Sequence, residues 1–292
     1  MIRHGMADAN GAAWHYAAAG DPNAPLLLFA HGFPDFWYGW KRQLELLSDR
    51  FHCIAPDLLG YHLSDKPADV SSYRTKRLVE DLDAFAARFP GGDHFTLVAH
   101  DWGGALAWAY ALKHPKRLKQ LVILNAVHPA AFQREVSRNP AQAAASQYIH
   151  ALRADDAELR YAADDYALLW RSLAPLKAKG CLSDADERAY KAAWAEPGAL
   201  TGMFNWYRAM KMSPRWGAPP ATSYDDSALV VHVPTLVLWG EKDDALLPGC
   251  LDGLEQWVPD LTVVRFPEGT HWITHEYPDL IADRIRAFAE GG

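Results

Sequence analysis

Asp101 stands where two kinds of sequence meet. The apolar run FTLV precedes the hexapeptide AHDWGG, and the helix-like segment ALAWAYALKH follows it. A carboxylate at the tip of a strand-to-helix turn can attack an electrophilic carbon, and such a crowded turn needs small neighbours. Gly103 lies two residues after the tip, and Ala99 stands where the first glycine of such turns usually lies. The alternative interpretation is that Asp101 only caps the helix or complements its dipole.

An acid and a histidine follow later strand-like runs. EKDD comes directly after TLVLWG, and PEGTHW follows TVVRF. A nucleophile, an acid and a base therefore occur in the order Asp101, acid, His271, which is the chain order of one class of catalytic triads. We favour Asp243 as the acid from its distance after the strand, with Asp244 and Glu241 as alternatives. The other candidate bases are interpreted as ordinary surface or core residues: His62, His128, His150, His232 and His275.

A loop after the first long apolar run could complete this chemistry. The loop HGFP, which contains Phe33, follows PLLLFA. The backbone N–H groups of Phe33 and Trp102 would then form an oxyanion hole beside Asp101. His271, oriented by Asp243, would draw a proton from the water that attacks an ester on Asp101. Because a carboxylate displaces a leaving group from an sp³ carbon, the substrate should be an electrophilic alkyl carbon.

Short apolar runs alternate with helix-like segments along most of the chain. Continuous apolar runs predict strands that are buried on both faces, as in a parallel sheet. We predict an α/β core in residues 1–129 and 229–292, formed by a mostly parallel sheet flanked by helices. Residues 130–228 contain no strand-like run and predict an inserted helical cap. A cap over the carboxyl ends of the strands would leave a ligand pocket between the two.

Composition excludes several classes of protein. Half of the 292 residues are apolar, yet no apolar run reaches the length of a membrane span, which disfavours both disordered and membrane proteins. The 36 acidic residues outnumber the 29 basic ones without a basic cluster, which argues against a nucleic-acid partner. The scattered Cys53, Cys181 and Cys250 indicate reduced thiols. The start lacks an apolar signal core, so we expect a cytoplasmic protein.

Five motifs occur in a fixed order between residues 31 and 272. They are HGFPDFWYGW, DLLGYHLSDKP, AHDWGG, NWYRAM and GTHW, and together they resemble the α/β-hydrolase fold family, specifically its epoxide hydrolases. Some relatives place the acid after the strand LVILN, but Asn125 stands there and cannot carry the charge. The resemblance implies hydrolysis of an epoxide to a vicinal diol through an alkyl ester on Asp101. It implies no metal or organic cofactor.

The resemblance also assigns two cap tyrosines to the leaving oxygen. Tyr148 in SQYIHAL and Tyr207 in MFNWYRAM match the expected positions. A phenol with an ordinary pKa of about 10 is protonated at neutral pH and can donate to an alkoxide. Other cap tyrosines are interpreted as packing residues: Tyr161, Tyr166, Tyr190 and Tyr224.

Two other function classes remain open on sequence alone. Haloalkane dehalogenases share a tryptophan after the nucleophile, but their loop typically reads HGNP, whereas Phe33 is apolar. Haloacetate dehalogenases typically carry arginine directly after the nucleophile and a His-Trp pair in the cap, where this chain has Trp102 and Gln147-Tyr148. A non-catalytic binding protein on the same fold is the minor alternative, because fold alone does not assign activity.

Aromatic residues flank the proposed catalytic positions and predict an apolar pocket. We therefore expect a small apolar epoxide as substrate and a protein that is a monomer or a homodimer. The predicted substrate-binding residues are Phe33, Trp37, Trp102, Phe204, Trp206 and Trp272.

Overall fold

One mixed sheet crosses the computed structural model, which describes residues 1–211 and 226–291. In these ranges the strands are β1 (Arg3–Ala9), β2 (Ala12–Ala19), β3 (Leu26–Ala30), β4 (His52–Pro56), β5 (Phe95–His100), β6 (Leu118–Leu124), β7 (Thr235–Gly240) and β8 (Leu261–Phe266). Their order is β1-β2-β4-β3-β5-β6-β7-β8. β2 runs antiparallel to β1 and β4, and the pairs from β4 to β8 are parallel.

The six parallel strands are those that the apolar runs predict. Every residue of β3, β4, β5 and β7 is buried, as expected for strands covered on both faces. β8 lies at the sheet edge and is only partly buried. β6 begins three residues before the predicted run, because Gln120 is buried and bonds to Thr96 and to the Phe288 carbonyl.

The hairpin of β1 and β2 is absent from the sequence prediction. Its strands are rich in alanine, which has a weak β-propensity and hides the alternating pattern. The turn carries the available signal, because Asn10 and Gly11 both have positive φ angles, of 55° and 85°. An Asn-Gly pair in this conformation is the preferred two-residue hairpin turn.

Helices flank the sheet, and others form the insertion between β6 and β7. α1 packs on α11, and α2 packs on α3. The insertion contains α4 to α9 in the described ranges and is the helical cap of the fold. The helices are α1 (Lys41–Leu47), α2 (Thr75–Ala86), α3 (Asp101–Lys113), α4 (Pro129–Arg138), α5 (Pro140–Ala145), α6 (Tyr148–Arg153), α7 (Ala157–Ala178), α8 (Asp184–Ala195), α9 (Ala199–Ala209), α10 (Ile273–Glu276) and α11 (Pro278–Glu290).

Two buried tryptophans of the cap bond to loops of the core. The indole N–H of Trp206 donates to the Leu59 carbonyl at 2.8 Å, and that of Trp194 donates to the Pro34 carbonyl at 2.7 Å. These bonds hold the cap over the loops that follow β3 and β4. Within residues 1–211 and 226–291, no helix has both the length and the apolar character needed to cross a membrane.

Candidate active site

Asp101 lies at the sharp corner between β5 and α3. Its φ angle is +49°, a left-handed conformation that is unusual for a residue other than glycine. A Cβ atom at Gly103 would collide with the carbonyl oxygens of Ala30 and His31, and one at Gly32 would collide with the Asp101 side chain. The crowded corner and its small neighbours therefore have the geometry that the sequence predicts.

Backbone donors surround the Asp101 carboxylate. The Phe33 N–H donates to Asp101 Oδ1 at 2.7 Å, and the Trp102 N–H also bonds to this carboxylate. Both groups of the predicted oxyanion hole therefore bond to the same carboxylate. These two N–H donors stabilise a negative charge on the Asp101 oxygen.

His271 lies between two carboxylates. Its Nδ1 is 2.7 Å from Asp243 Oδ2, and its Nε2 is 3.6 Å from Asp101 Oδ2. Asp243 is buried, and the N–H groups of Ala245 and Leu246 each donate to its Oδ1 at 2.9 Å. The structure thus brings Asp101, His271 and Asp243 together, with His271 between the two carboxylates.

The alternative acids lie elsewhere. Asp244 is exposed, and Glu241 forms an ion pair with Arg265 at 3.0 Å. Of the three acidic candidates, only Asp243 bonds to His271 among the contacts of the described ranges.

Two supporting residues are not identified by the sequence prediction. Asn125 donates to Asp243 Oδ2 at 2.8 Å and accepts the Gly240 N–H at 2.9 Å, so it fixes the acid on the neighbouring strand end. His100 Nε2 bonds to the His271 carbonyl oxygen at 2.8 Å. Burial lowers the pKa of His100 to about 3, so its neutral ring donates this bond. The available signals are their positions at the ends of β6 and β5.

The pKa values of the three central groups reflect burial and mutual charge. Burial raises the pKa of Asp101, and the charge of His271 only partly offsets it. Burial alone would raise the pKa of Asp243, but His271, the Leu246 N–H and Asn125 hold it below its usual value. Burial alone would lower the pKa of His271, but the charges of Asp243 and Asp101 raise it to about 9.

The two predicted cap tyrosines meet above Asp101. The hydroxyl groups of Tyr148 and Tyr207 are hydrogen-bonded, and their ring centroids are 6.1 Å apart. The Tyr207 ring is buried edge-on against Phe33 and Trp102, at 5.2 and 5.1 Å. Tyr207 is buried, whereas Tyr148 is 36% exposed and its hydroxyl end bonds to Tyr207 in the site. Desolvation, followed by nearby charges that include Asp101, raises the pKa of both phenols, so both keep their protons at neutral pH.

Five of the six predicted pocket residues lie around this group. Phe204 contacts Phe33, Trp206 contacts Trp102, and Trp272 packs edge-on against the His271 ring. The ring contacts of Trp37 are with other residues, so its role in substrate binding stays a prediction. Its ring packs against His4 of β1 and against Phe36 and Tyr38.

The remaining histidines and tyrosines have other partners or lie on the surface. His62 bonds to Asp57, His128 to the Leu229 carbonyl, and His275 to Tyr190, whereas His150 and His232 are exposed. Tyr161, Tyr166 and Tyr190 pack against other cap or core rings, and Tyr224 lies outside the described residues.

A second cluster of histidine and carboxylate lies beside the β1–β2 hairpin. His15 Nδ1 and His62 Nδ1 lie 2.6 and 2.8 Å from the same oxygen of Asp57, and these three potential metal ligands lie within 4.8 Å of one another. Ligands around a tetrahedral zinc ion are about 3.3 Å apart, given bonds of about 2.0 Å. The shorter distances fit direct hydrogen bonds, so the cluster is a buried network that joins β2 to the loop after β4.

Comparison with known proteins identifies the family. A family profile of the α/β-hydrolase fold matches residues 25–278. The AB hydrolase superfamily protein YfhM of Bacillus subtilis (strain 168) is 36% identical over 94% of each chain. Epoxide hydrolase 4 of Mus musculus is 32% identical over 96% of this chain and 77% of that protein. This chain belongs to the epoxide hydrolases of the α/β-hydrolase fold family.

Solved epoxide hydrolases have the same architecture. An epoxide hydrolase from Bacillus megaterium, crystallised with an inhibitor, superposes with a TM-score of 0.87 at 32% identity, covering 97% of this chain and 99% of that one. A mutant of the epoxide hydrolase from Solanum tuberosum superposes with a TM-score of 0.82 at 26% identity and covers both chains completely. The similarity of these epoxide hydrolases therefore includes both core and cap.

Proposed function

We propose that this chain hydrolyses epoxides to vicinal diols through an ester on Asp101. One observation carries the proposal: the Asp101 carboxylate lies between a His–Asp pair on the core and a pair of protonated phenols on the cap. The epoxide hydrolases among its relatives support the same reaction.

Ring opening uses the two oxygens of Asp101 differently. Oδ1 already accepts the Phe33 N–H, which leaves Oδ2 as the nucleophile. A bond forms between Oδ2 and one epoxide carbon as the bond between that carbon and the ring oxygen breaks. The released alkoxide takes a proton from the hydroxyl of Tyr148 or Tyr207. The product of this step is a hydroxyalkyl ester of Asp101.

Ester hydrolysis uses the groups on the core. His271 accepts a proton from water, and the resulting hydroxide adds to the carbonyl carbon of the ester. The N–H groups of Phe33 and Trp102 stabilise the oxyanion that develops on Oδ1. Collapse of this intermediate breaks the bond between the carbonyl carbon and the diol oxygen. That oxygen takes the proton from His271. The Asp101 carboxyl, which keeps the second proton of the water, passes it to the tyrosinate left by ring opening, so that the free carboxylate and the phenol are both restored.

The surroundings of Asp101 favour an epoxide over an alkyl halide. A halide leaves as a stable anion and needs no proton, whereas the alkoxide from an epoxide does. The phenol pair meets this need, and the apolar ring of Phe33 adds no donor of its own side chain. Release of halide from fluoroacetate or bromoalkanes, without diol from a panel of epoxides, would favour a dehalogenase.

A single turnover in ¹⁸O-labelled water tests the covalent route. With enzyme in excess over epoxide, the attacking water leaves its oxygen on Asp101, and the first diol is unlabelled. Label in the first-turnover diol would contradict the proposal. Asp101→Asn is the control. The substitution should abolish turnover if the protein is an enzyme, and should change ligand binding little if it is a binding protein.

Further features of the chain remain proposals from its sequence. We propose a small apolar substrate, since aromatic side chains surround the Asp101 carboxylate. The domain boundaries at 129/130 and 228/229, the cytoplasmic location and the monomeric or homodimeric state also stay predictions.

A further inference from the structure

Arg153 joins the two cap helices that carry the phenols. α6 begins at Tyr148 and ends at Arg153, and α9 carries Tyr207 in its last turn. Arg153 Nε donates to the Tyr207 carbonyl oxygen at 2.7 Å, and its Nη2 donates to the Met210 carbonyl oxygen at 2.8 Å. One side chain of the first helix thus holds the end of the second helix.

The carbonyl groups at the end of α9 suit an arginine. The last carbonyls of a helix have no partner within it and carry partial negative charge, which a cation stabilises. The Tyr207 carbonyl lies in the last turn and also accepts the Met210 N–H at 3.3 Å, and Met210 directly follows the helix. The planar guanidinium can reach both carbonyl oxygens with parallel N–H groups, which a lysine cannot do. Arg153 is half-buried, and desolvation lowers its pKa, so these two bonds replace part of its hydration.

Arg153 bonds to the backbone of Tyr207, whose side chain donates a proton in the proposed ring opening. Tyr207 offers its carbonyl to Arg153 and its hydroxyl to Tyr148, so the position of this peptide sets the position of the hydroxyl. Because Arg153 and Tyr148 lie on the same short helix, a loss of the clamp would allow the two hydroxyls to separate.

We propose that Arg153 is a positioning residue for epoxide ring opening, which holds the Tyr148 and Tyr207 hydroxyls at the spacing that protonates the leaving oxygen. The inference rests on the proposed function. Arg208, the neighbouring arginine on α9, has a different role. It forms two bonds to Glu158, at 2.7 and 2.8 Å, and one to the Ala154 carbonyl at 3.2 Å, so it joins α9 to α7 and to the residue after α6.

Transient kinetics of Arg153→Met and Arg153→Lys separate the two steps. With phenyl glycidyl ether as the probe, the rate of ester formation should fall about 10²-fold in Arg153→Met, because a displacement of about 1 Å has this cost. Arg153→Lys should lie between this variant and the parent. Ester hydrolysis should change less than threefold in both, because Asp243 and His271 lie on core loops. Arg160→Met removes an exposed cap arginine and is the matched control.

A double-mutant cycle with Tyr207→Phe distinguishes positioning from simple stabilisation. If Arg153 acts through Tyr207, Arg153→Met should slow ester formation less than threefold in the Tyr207→Phe background. An additive effect, or a parental rate of ester formation in Arg153→Met, would overturn the inference alone. If Arg153→Met does not fold, a parental rate in Arg153→Lys would overturn it equally. A parent that forms no ester with any epoxide would remove the proposed function and this inference with it.

Discussion

The charges of Asp101 and His271 place the two chemical steps in order. In the free site the negative charge of Asp101 contributes to the raised pKa of His271, about 9, so the imidazole is protonated at neutral pH. Alkylation converts Asp101 into a neutral ester and removes this contribution. The pKa of His271 then falls, and the neutral base that ester hydrolysis needs is formed only after ring opening.

The first prediction concerns this coupling. Asp101→Asn should lower the pKa of His271 below about 9, because the raising charge is removed while Asp243 remains. The measurement is an NMR titration of ¹⁵N-labelled histidine. Asp93→Asn changes an exposed carboxylate paired with Arg117 and should leave the titration unchanged. An unaltered or higher pKa of His271 in Asp101→Asn would contradict the coupling.

The second prediction concerns the proton donor. Tyr207→Phe should slow single-turnover ester formation on the order of 10²-fold, because the alkoxide loses one of its two acids. Tyr166→Phe is the matched control, since that ring packs on Trp194 in the cap. Retention of both the ring-opening rate and the substrate affinity in Tyr207→Phe would remove Tyr207 from the mechanism.

The positions of residues that follow strands can be predicted from sequence, whereas the long-range contacts that support the site cannot. Asp101, Asp243 and His271 each lie just after an apolar run, so their positions follow from the parallel sheet. Asn125 and Arg153 act through contacts across 118 and 54 positions of the chain. Neither contact has a local pattern. The ring contact between Trp37 and His4 of β1 has no local pattern either.

At the scale of elements, Asp57 fastens the N-terminal hairpin to the core. Burial alone would raise the pKa of Asp57, but bonds from His15 and His62 lower it to about 2. A carboxyl whose folded pKa is below its ordinary value of 3.8 adds stability above that value. This contribution is lost as the pH falls toward 2.

The third prediction follows from the lowered pKa of Asp57, which adds stability at neutral pH. At pH 7, Asp57→Asn should lower the free energy of unfolding by about 2–3 kcal/mol, which corresponds to a pKa that falls from 3.8 to about 2 on folding. The difference from the parent should shrink as the pH approaches 2. Urea unfolding at both ends of this range measures it, with the exposed Asp93→Asn as control. If Asp57→Asn lowers the free energy of unfolding by the same amount at both pH values, the proposed ionic contribution is excluded.

The difference between strands buried on both faces and strands exposed on one face explains which elements can be predicted from sequence. Continuous apolar runs predict the six parallel strands, and in β3, β4, β5 and β7 every residue is buried, as strands covered on both faces require. The hairpin has one solvent-facing strand made of residues such as His4, Met6 and Asp8, which form no apolar run. Only its Asn10-Gly11 turn distinguishes it from a loop.

At the scale of the whole molecule, the cap and the core share the site. Asp101, Asp243 and His271 come from core loops, and the two phenols come from the cap. The Trp194 indole bonds to the Pro34 carbonyl, directly after the Phe33 N–H of the proposed oxyanion hole. The position of the cap is thereby joined to the position of the oxyanion donor.

The fourth prediction tests this connection. Trp194→Phe should lower the free energy of unfolding by about 1–2 kcal/mol more than a Trp→Phe change that breaks no hydrogen bond, because the buried Pro34 carbonyl loses its donor. Trp257→Phe is the control, since its indole N–H is buried without a partner in the described part of the chain. Urea unfolding measures both variants. Equal losses would show that the bond adds nothing.

The central claim is a transient covalent bond between substrate carbon and Asp101. His271→Gln should still open the epoxide but fail to hydrolyse the ester. Mixing this variant with phenyl glycidyl ether should therefore increase the mass of the intact protein by the mass of one substrate molecule. Peptide mapping should place the added group on Asp101. An unmodified protein that still releases diol, or an addition on another residue, would contradict the account.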